Sequence, residues 1–211
     1  MKKLNKLIIA CDGESASGKS TAAKLISKKY NLTLINSGLL YRYASKLIIK
    51  SNPKNTVLFL KKKFKNISYK SITKHNLHSE NISNHVAILA KDKKVREIVN
   101  RFQKKIIRSN KKICVEGRDI ASKILIKNPK YDLAFYFKCN IDVASYRRWI
   151  DIKKKVSLKD VRKSLSKRTQ MDKKRKNSPL IKVKDAILIR TDKLTKKQVL
   201  SKMSKHIDKL N

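Results

Sequence analysis

The run Gly13-Glu14-Ser15-Ala16-Ser17-Gly18-Lys19-Ser20-Thr21 carries the most explicit chemistry in the chain. Its spacing is G-x-x-x-x-G-K-[ST], in which the backbone N–H groups of a loop wrap a row of phosphates. Lys19 supplies a mobile point charge for the β- and γ-phosphate oxygens, and the Ser20 hydroxyl can join a magnesium ion that bridges them. This spacing needs a buried strand before it and a helix after it. Leu7 to Cys11 is a short apolar run that stops at Asp12-Gly13, as a buried parallel strand does. Helical spacing begins near Gly18, so the positive end of the helix dipole adds to an anion site. Only four glycines occur in the chain, and Gly13, Gly18 and Gly117 all lie at such places. In that background each one marks a backbone requirement. Gly13 through Thr21 are therefore the expected ATP-binding residues, with ATP and Mg2+ as the implied cofactors.

Three further clusters are rich in groups that bind anions. Asn36-Ser37-Gly38-Leu39-Leu40-Tyr41-Arg42 sets an arginine one helical turn past a glycine, aimed back at the strand ends. Glu116-Gly117-Arg118-Asp119 ends another strand, with an acid beside the phosphate loop, suited to a magnesium-bound water, and an arginine pointing into the cleft. Arg168, Asp172 and Arg175 stand at i, i+4 and i+7, which puts them on one face of a helix. A phosphoryl group in transit carries charge on oxygens at both ends. Several arginines and one metal ion are what its transfer asks for. The N-K-x-D and D-x-x-G signatures of GTPases are absent from the sequence.

The elements that must position these groups alternate. Short strands are expected at Leu7–Cys11, Leu32–Ile35, Ile113–Val115, Leu133–Phe137 and Ala186–Ile189. Helices are expected near 18–30, 38–49, 86–107 (in one or two pieces) and 141–153, with one opened by a capping box at Ser157-Leu158-Lys159-Asp160. A last amphipathic helix, capped by Thr195 with Gln198, runs to about Leu210. This pattern, with the phosphate loop after its first strand, predicts an α/β fold, a doubly wound five-stranded parallel sheet of the P-loop kind. Residues 52–84 and 154–184 interrupt it and read as inserts at the carboxyl edge of the sheet, where ligands of such folds bind. The whole reads as one unit, with core 1–51, 85–153 and 185–211; the resemblance described below makes 52–84 an acceptor-side insert and 154–184 a lid.

Charge is the other conspicuous feature: 55 Lys+Arg against 15 Asp+Glu, formally +40. Such a field attracts polyanions, nucleic acid among them. The basic residues are spread over nearly every segment, which fits compositional drift better than a dedicated nucleic-acid surface. Cys11, Cys114 and Cys139 are odd in number, lack metal spacing and sit in or beside apolar runs, so they read as core thiols of a reducing compartment. No stretch approaches the ~20 apolar residues of a membrane span. The expectation is a cytoplasmic monomer with small-molecule partners and no membrane.

In order and with sensible gaps, these motifs resemble the bacterial cytidylate kinase family of nucleoside monophosphate kinases over most of the chain. The carriers are Gly13–Thr21; Ser37-Gly38-Leu39-Leu40-Tyr41-Arg42; Ser79-Glu80-Asn81-Ile82 with Ala90 to Arg96; Gly117-Arg118-Asp119-Ile120-Ala121-Ser122; and Arg168, Asp172, Arg175, Pro179 and Leu180. The resemblance implies transfer from ATP to CMP or dCMP. It implies that Ser37, Tyr41, Arg42 and Arg118 serve the acceptor, the two arginines on its phosphate. Arg96 and Arg175 would help hold the pyrimidine with Asp119 close by. Arg168 and Asp172 would close over the sugar and the moving phosphoryl, and Arg147 or Arg148 would lie near the ATP base. Lys19, Arg118, Asp119, Arg168 and Asp172 form the implied catalytic set, and Ser20 with Glu116, through water, the implied metal set.

The chain departs from the family pattern at several places. Glu14 replaces a usual Pro, Asn36 an Asp, His78 an Arg, Ala121-Ser122 a Gly-Thr, and Arg190 an Asp. Ala87 falls where a pyrimidine-contacting Ser is frequent, so discrimination of CMP from UMP is expected to be weak. Kinases for UMP, thymidylate, adenylate or shikimate stand as alternatives. A basic nucleic-acid-binding ATPase is the reading from another class.

Overall fold

The computed structural model describes residues 5–210; the ends of the expected core, 1–4 and 211, and the side chain of Glu80 lie outside the described residues. The chain forms two compact units. One holds the chain up to Ile35 and from Asn110 onward, and the other is Asn36–Ser109.

The first unit is built on a five-stranded sheet. Its strands are β1 (Leu7–Gly13), β2 (Thr33–Asn36), β3 (Lys112–Glu116), β4 (Leu133–Lys138) and β5 (Ile187–Arg190), in the order β2-β3-β1-β4-β5. The β3–β1, β1–β4 and β4–β5 pairings are all parallel. All seven residues of β1 are buried, which is why it reads as an unbroken apolar run. Strand pairing carries β1 through Asp12-Gly13, where the expected strand had already stopped; Asp12 and Gly13 stand opposite Tyr136 and Phe137 of β4. Helices α1 (Lys19–Lys29) and α9 (Lys196–Ile207) pack together, and their Ala22, Ala23, Ile26, Val199, Met203 and Ile207 share a core with Leu7, Ile9, Cys11, Phe135 and Phe137. The capping box of α9, Thr195 with Gln198, is present as expected. Cys11, Cys114 and Cys139 are free and buried.

Helices α7 (Ile141–Asp151) and α8 (Leu158–Lys173) pair around Cys139, Ala144, Val161 and Leu165. Ser157 caps α8 by accepting from Asp160 N–H, but the Asp160 carboxylate takes the Ser157 hydroxyl rather than the backbone N–H of a full box. Helix α8 ends at Lys173 with Lys174 as its cap. Arg175 therefore lies beyond the helix and does not share a helical face with Arg168 and Asp172, a correction to the i, i+7 spacing. Its guanidinium donates forward to Ser178 O, three residues on.

The second unit is all helical: α2 (Ser37–Ser51), α3 (Thr56–Lys65), α4 (Tyr69–Thr73), α5 (Glu80–Leu89) and α6 (Lys93–Arg108). The expected 86–107 helix is thus two pieces, parted at Ala90–Asp92, where Asp92 caps α6 through Val95 N–H. Side chains of Asn36, Asn55, Ser68 and Ser79 cap the other four helices, which explains why a stretch so hard to read from periodicity still folds as discrete helices. Their core is Leu40, Tyr43, Leu60, Phe64, Ile72, Leu77, Leu89 and Val99.

Candidate active site

Three strand ends hold the phosphate loop. A Cβ on Gly13 would meet Phe137 O at 2.4 Å, so only glycine lets β1 pass β4 so closely. Glu14 N–H then donates to Phe137 O. Gly18, at φ +77°, turns the chain into α1 in a left-handed conformation that favours glycine. The hydroxyl of Thr191, just past β5, donates to Ser17 O at 3.0 Å. Arg118, just past β3, donates to Gly13 O at 2.7 Å and to Ser15 Oγ at 3.3 Å.

At the start of α1, Ser20 Oγ donates to Glu116 Oε2 at 2.6 Å, and Lys19 Nζ lies 3.4 Å from the same oxygen. Lys19 and Glu116 are both buried. Burial pushes the Lys19 ammonium below its ordinary range, and the Glu116 carboxylate opposes that shift.

The end of α8 also reaches the loop. Thr169 Oγ1 accepts from Ser15 N–H at 3.3 Å, and Lys173 Nζ lies 2.7 Å from Glu14 Oε1. Asp172 Oδ2 is 3.4 Å from Arg118 Nε, and Asp172 Oδ1 is 3.5 Å from Arg175 Nη1. Asp172 Oδ2 and Arg175 Nε are buried without a hydrogen bond. Arg168 stands half-buried on α8, one turn before Asp172. Between β3 and β4, Asp119 is buried and opens a π-helical turn, Ile120–Ile124. The Asp12 carboxylate accepts the first two N–H groups of that turn.

Arg147 donates to the carbonyls of Thr191 and Asp192, so it braces the segment that holds Ser17. Arg148 is exposed. A cavity of about 530 Å³ lies beside this segment, lined by Lys138, Asn140, Val143, Arg190, Asp192 and Lys193.

In the helical unit, Ser37 opens α2 after its cap Asn36. Arg42 donates to Leu77 O and to Ser83 Oγ, both at 2.9 Å. Arg96 is 4% exposed, donates to Ala90 O at 3.2 Å and lies 5.6 Å from the centre of the buried Tyr41 ring. Ala87 is half-buried on α5, one turn beyond Ser83.

The family model described as cytidylate kinase matches residues 9–209. The chain belongs to the cytidylate kinase family. It is accordingly a kinase of the nucleoside monophosphate class. It is 30% identical to the cytidylate kinase of Fusobacterium nucleatum subsp. nucleatum over 98% of this chain and 100% of that protein. It is also 30% identical to the cytidylate kinase of Clostridioides difficile over 99% and 100%. Among solved structures, shikimate kinase from Bacteroides thetaiotaomicron superposes with a TM-score of 0.51 at 11% identity, covering 97% of this chain and 98% of that one, a likeness of fold alone.

Against the family pattern, the motif residues Lys19, Ser20, Glu116, Arg118, Asp172 and Arg175 come together in the sheet unit, and Ser37, Tyr41, Arg42 and Arg96 share the helical unit. Sequence reading missed Asp12, Thr169, Thr191 and Ser83. For Asp12 the signal was present: a carboxylate closing an apolar strand run is costly unless bonded. The others are single hydroxyls in polar stretches, with no pattern to mark them. Among the described residues no group of three or more His, Cys, Asp or Glu side chains could hold a metal alone. A single hydroxyl and carboxylate beside a phosphate loop fit magnesium that arrives on a nucleotide. Among the described residues no helix is long and apolar enough to cross a membrane.

Proposed function

We propose that the protein transfers the γ-phosphoryl of ATP directly to CMP or dCMP. The observation that carries the transfer is one carboxylate oxygen of Glu116 within reach of both Ser20 Oγ and Lys19 Nζ at the mouth of the Gly18 turn. Cytidylate as acceptor rests on family membership. The loop amides of Gly13 through Thr21 bind the donor phosphates. Lys19 follows the γ-phosphoryl and exchanges Glu116 for phosphate oxygens. Ser20, with Glu116 through water, would hold Mg2+, which neutralises charge on the bridged phosphates when bound.

Arg118 is already pinned to the loop and needs little rearrangement to meet an acceptor phosphate; Arg42 gives up a carbonyl and a hydroxyl to do the same. Arg96, Arg175 and Asp119 serve the pyrimidine. Arg168 and Asp172 close over sugar and phosphoryl. Asp172 Oδ2, ion-paired with Arg118 but without a hydrogen bond, and Arg175 Nε supply an acceptor and a donor suited to a polar ligand. Arg147 acts near the donor base through the Thr191–Asp192 segment it braces. In this reading 154–184 is the lid, 52–84 the acceptor-side insert, and the chain acts as a cytoplasmic monomer.

Coupled ADP release with a panel of nucleoside monophosphates tests the proposal. CMP and dCMP should accelerate release strongly over ATP alone, and failure of every monophosphate would falsify the reading. Because Ala87 supplies no hydroxyl, UMP should follow CMP closely in kcat/KM, and Ala87→Ser should widen the gap. A strong CMP preference in the wild type contradicts that part.

A further inference from the structure

We infer that Asp12 is a positioning residue for the transfer, fixing the segment that carries Arg118 and Asp119. The inference rests on the roles proposed above for those two residues. Asp12 is 3% exposed and shares its two oxygens between neighbouring amides: Oδ1 accepts from Ile120 N–H at 2.9 Å and Oδ2 from Ala121 N–H at 2.8 Å. These are the first N–H groups of the π-helical turn, which nothing inside the turn can satisfy. Asp119 occupies the cap position but makes no side-chain cap bond to the turn. The cap is supplied instead by a residue 108 positions earlier in the chain.

A second tie lies one residue before Asp12, where Cys11 O accepts from Gly117 N–H at 2.9 Å. Consecutive residues of β1 therefore grip the peptide Gly117–Ala121 at both ends, with Arg118 and Asp119 between the two grips. The strand continues into Gly13, whose carbonyl takes Arg118 Nη1. The strand end thus meets the phosphate loop through backbone and the Arg118-Asp119 segment through the Asp12 side chain, so a change confined to that side chain falls on the segment. An apolar residue would fill the end of β1 with less desolvation. What the carboxylate adds is geometry: two charge-assisted bonds with fixed directions.

The test combines kinetics with amide exchange. Asp12→Asn keeps the size of the side chain but turns an NH2 group on one of the two amides. The expected result is a loss of about 10- to 100-fold in kcat/KM for CMP, with ATP affinity measured at equilibrium changed less than about twofold. Asp12→Glu, which keeps the charge, should recover part of the loss. An unchanged kcat/KM, or an equal loss of ATP affinity, overturns the inference, since the residue would then be idle or generally structural. In the wild type, the Ile120 and Ala121 amides should exchange as slowly as those of β1, and fast exchange there also overturns it. Exchange needs no substrate and no variant. It therefore stays decisive if a variant fails to fold, and it separates failure of this inference from failure of the cytidylate reading.

Discussion

The two units hold their functional side chains in opposite ways. In the sheet unit the groups bind one another across long stretches of chain: Lys19 with Glu116, Arg118 with Gly13 and Asp172, Thr169 with Ser15. In the helical unit the arginines rest on neutral oxygens instead, Arg42 on Leu77 O and Ser83 Oγ and Arg96 on Ala90 O. The contrast separates two tasks. Groups at strand ends are fixed before any ligand arrives, as electrostatic stabilisation of a transition state requires. In the proposed reading, the arginines of the helical unit exchange these oxygens for those of a phosphate or base, and so set affinity. Changes in the sheet unit should therefore appear in kcat, and changes in the helical unit in KM for the acceptor.

The sharpest way to break this contrast is Lys19→Ala. It should lower kcat by about 10²- to 10³-fold or more, measured by coupled ADP release at saturating CMP; a change confined to KM would contradict it. Next in size is Arg42→Ala, which removes a guanidinium from the helical unit. The KM for CMP should rise about 10- to 100-fold while the KM for ATP holds, and an equal loss in kcat would erase the distinction between the units.

A third prediction concerns stability. Burial, with a smaller push from the Asp119 charge, raises the Asp12 carboxyl from 3.8 to about 6, against the pull of its two N–H donors. The folded state then holds that proton more tightly than the unfolded state. The contribution to stability is full below the unfolded value and declines as pH rises through the window up to about 6. Relative to Asp12→Asn, the wild type should lose on the order of 1 kcal/mol between about pH 5 and 7, or about 2–4 °C in Tm. Parallel melting curves across that range would contradict it. The smallest effect is expected at the Glu14–Lys173 pair, whose lysine is 47% exposed. Glu14→Gln should change the KM for ATP by less than about fivefold, since such pairs contribute ~0.2–1 kcal/mol.

The same contrast explains what the sequence made legible. The phosphate loop, Glu116 and Arg118 could be read because glycine scarcity, apolar strand runs and motif spacing all mark the carboxyl edge of the sheet. Five strands and the cap of α9 were readable for the same reason, since burial and capping leave local patterns. Three things were not. The helices of 52–89 are set by single asparagine and serine caps within lysine-rich surroundings, where periodicity is weak. The position of Arg175 depends on where α8 stops, and spacing alone extended the helix past Lys173. The Asp12 bonds join residues far apart in the chain, so no local window contains them.

The most direct test of direct transfer to cytidylate is a single-turnover reaction with ATP labelled at the γ-phosphorus, quenched and resolved by product. The label should appear in CDP at the rate ADP forms, with none held on the protein. Label recovered as inorganic phosphate, or on a protein side chain before CDP, would contradict the account.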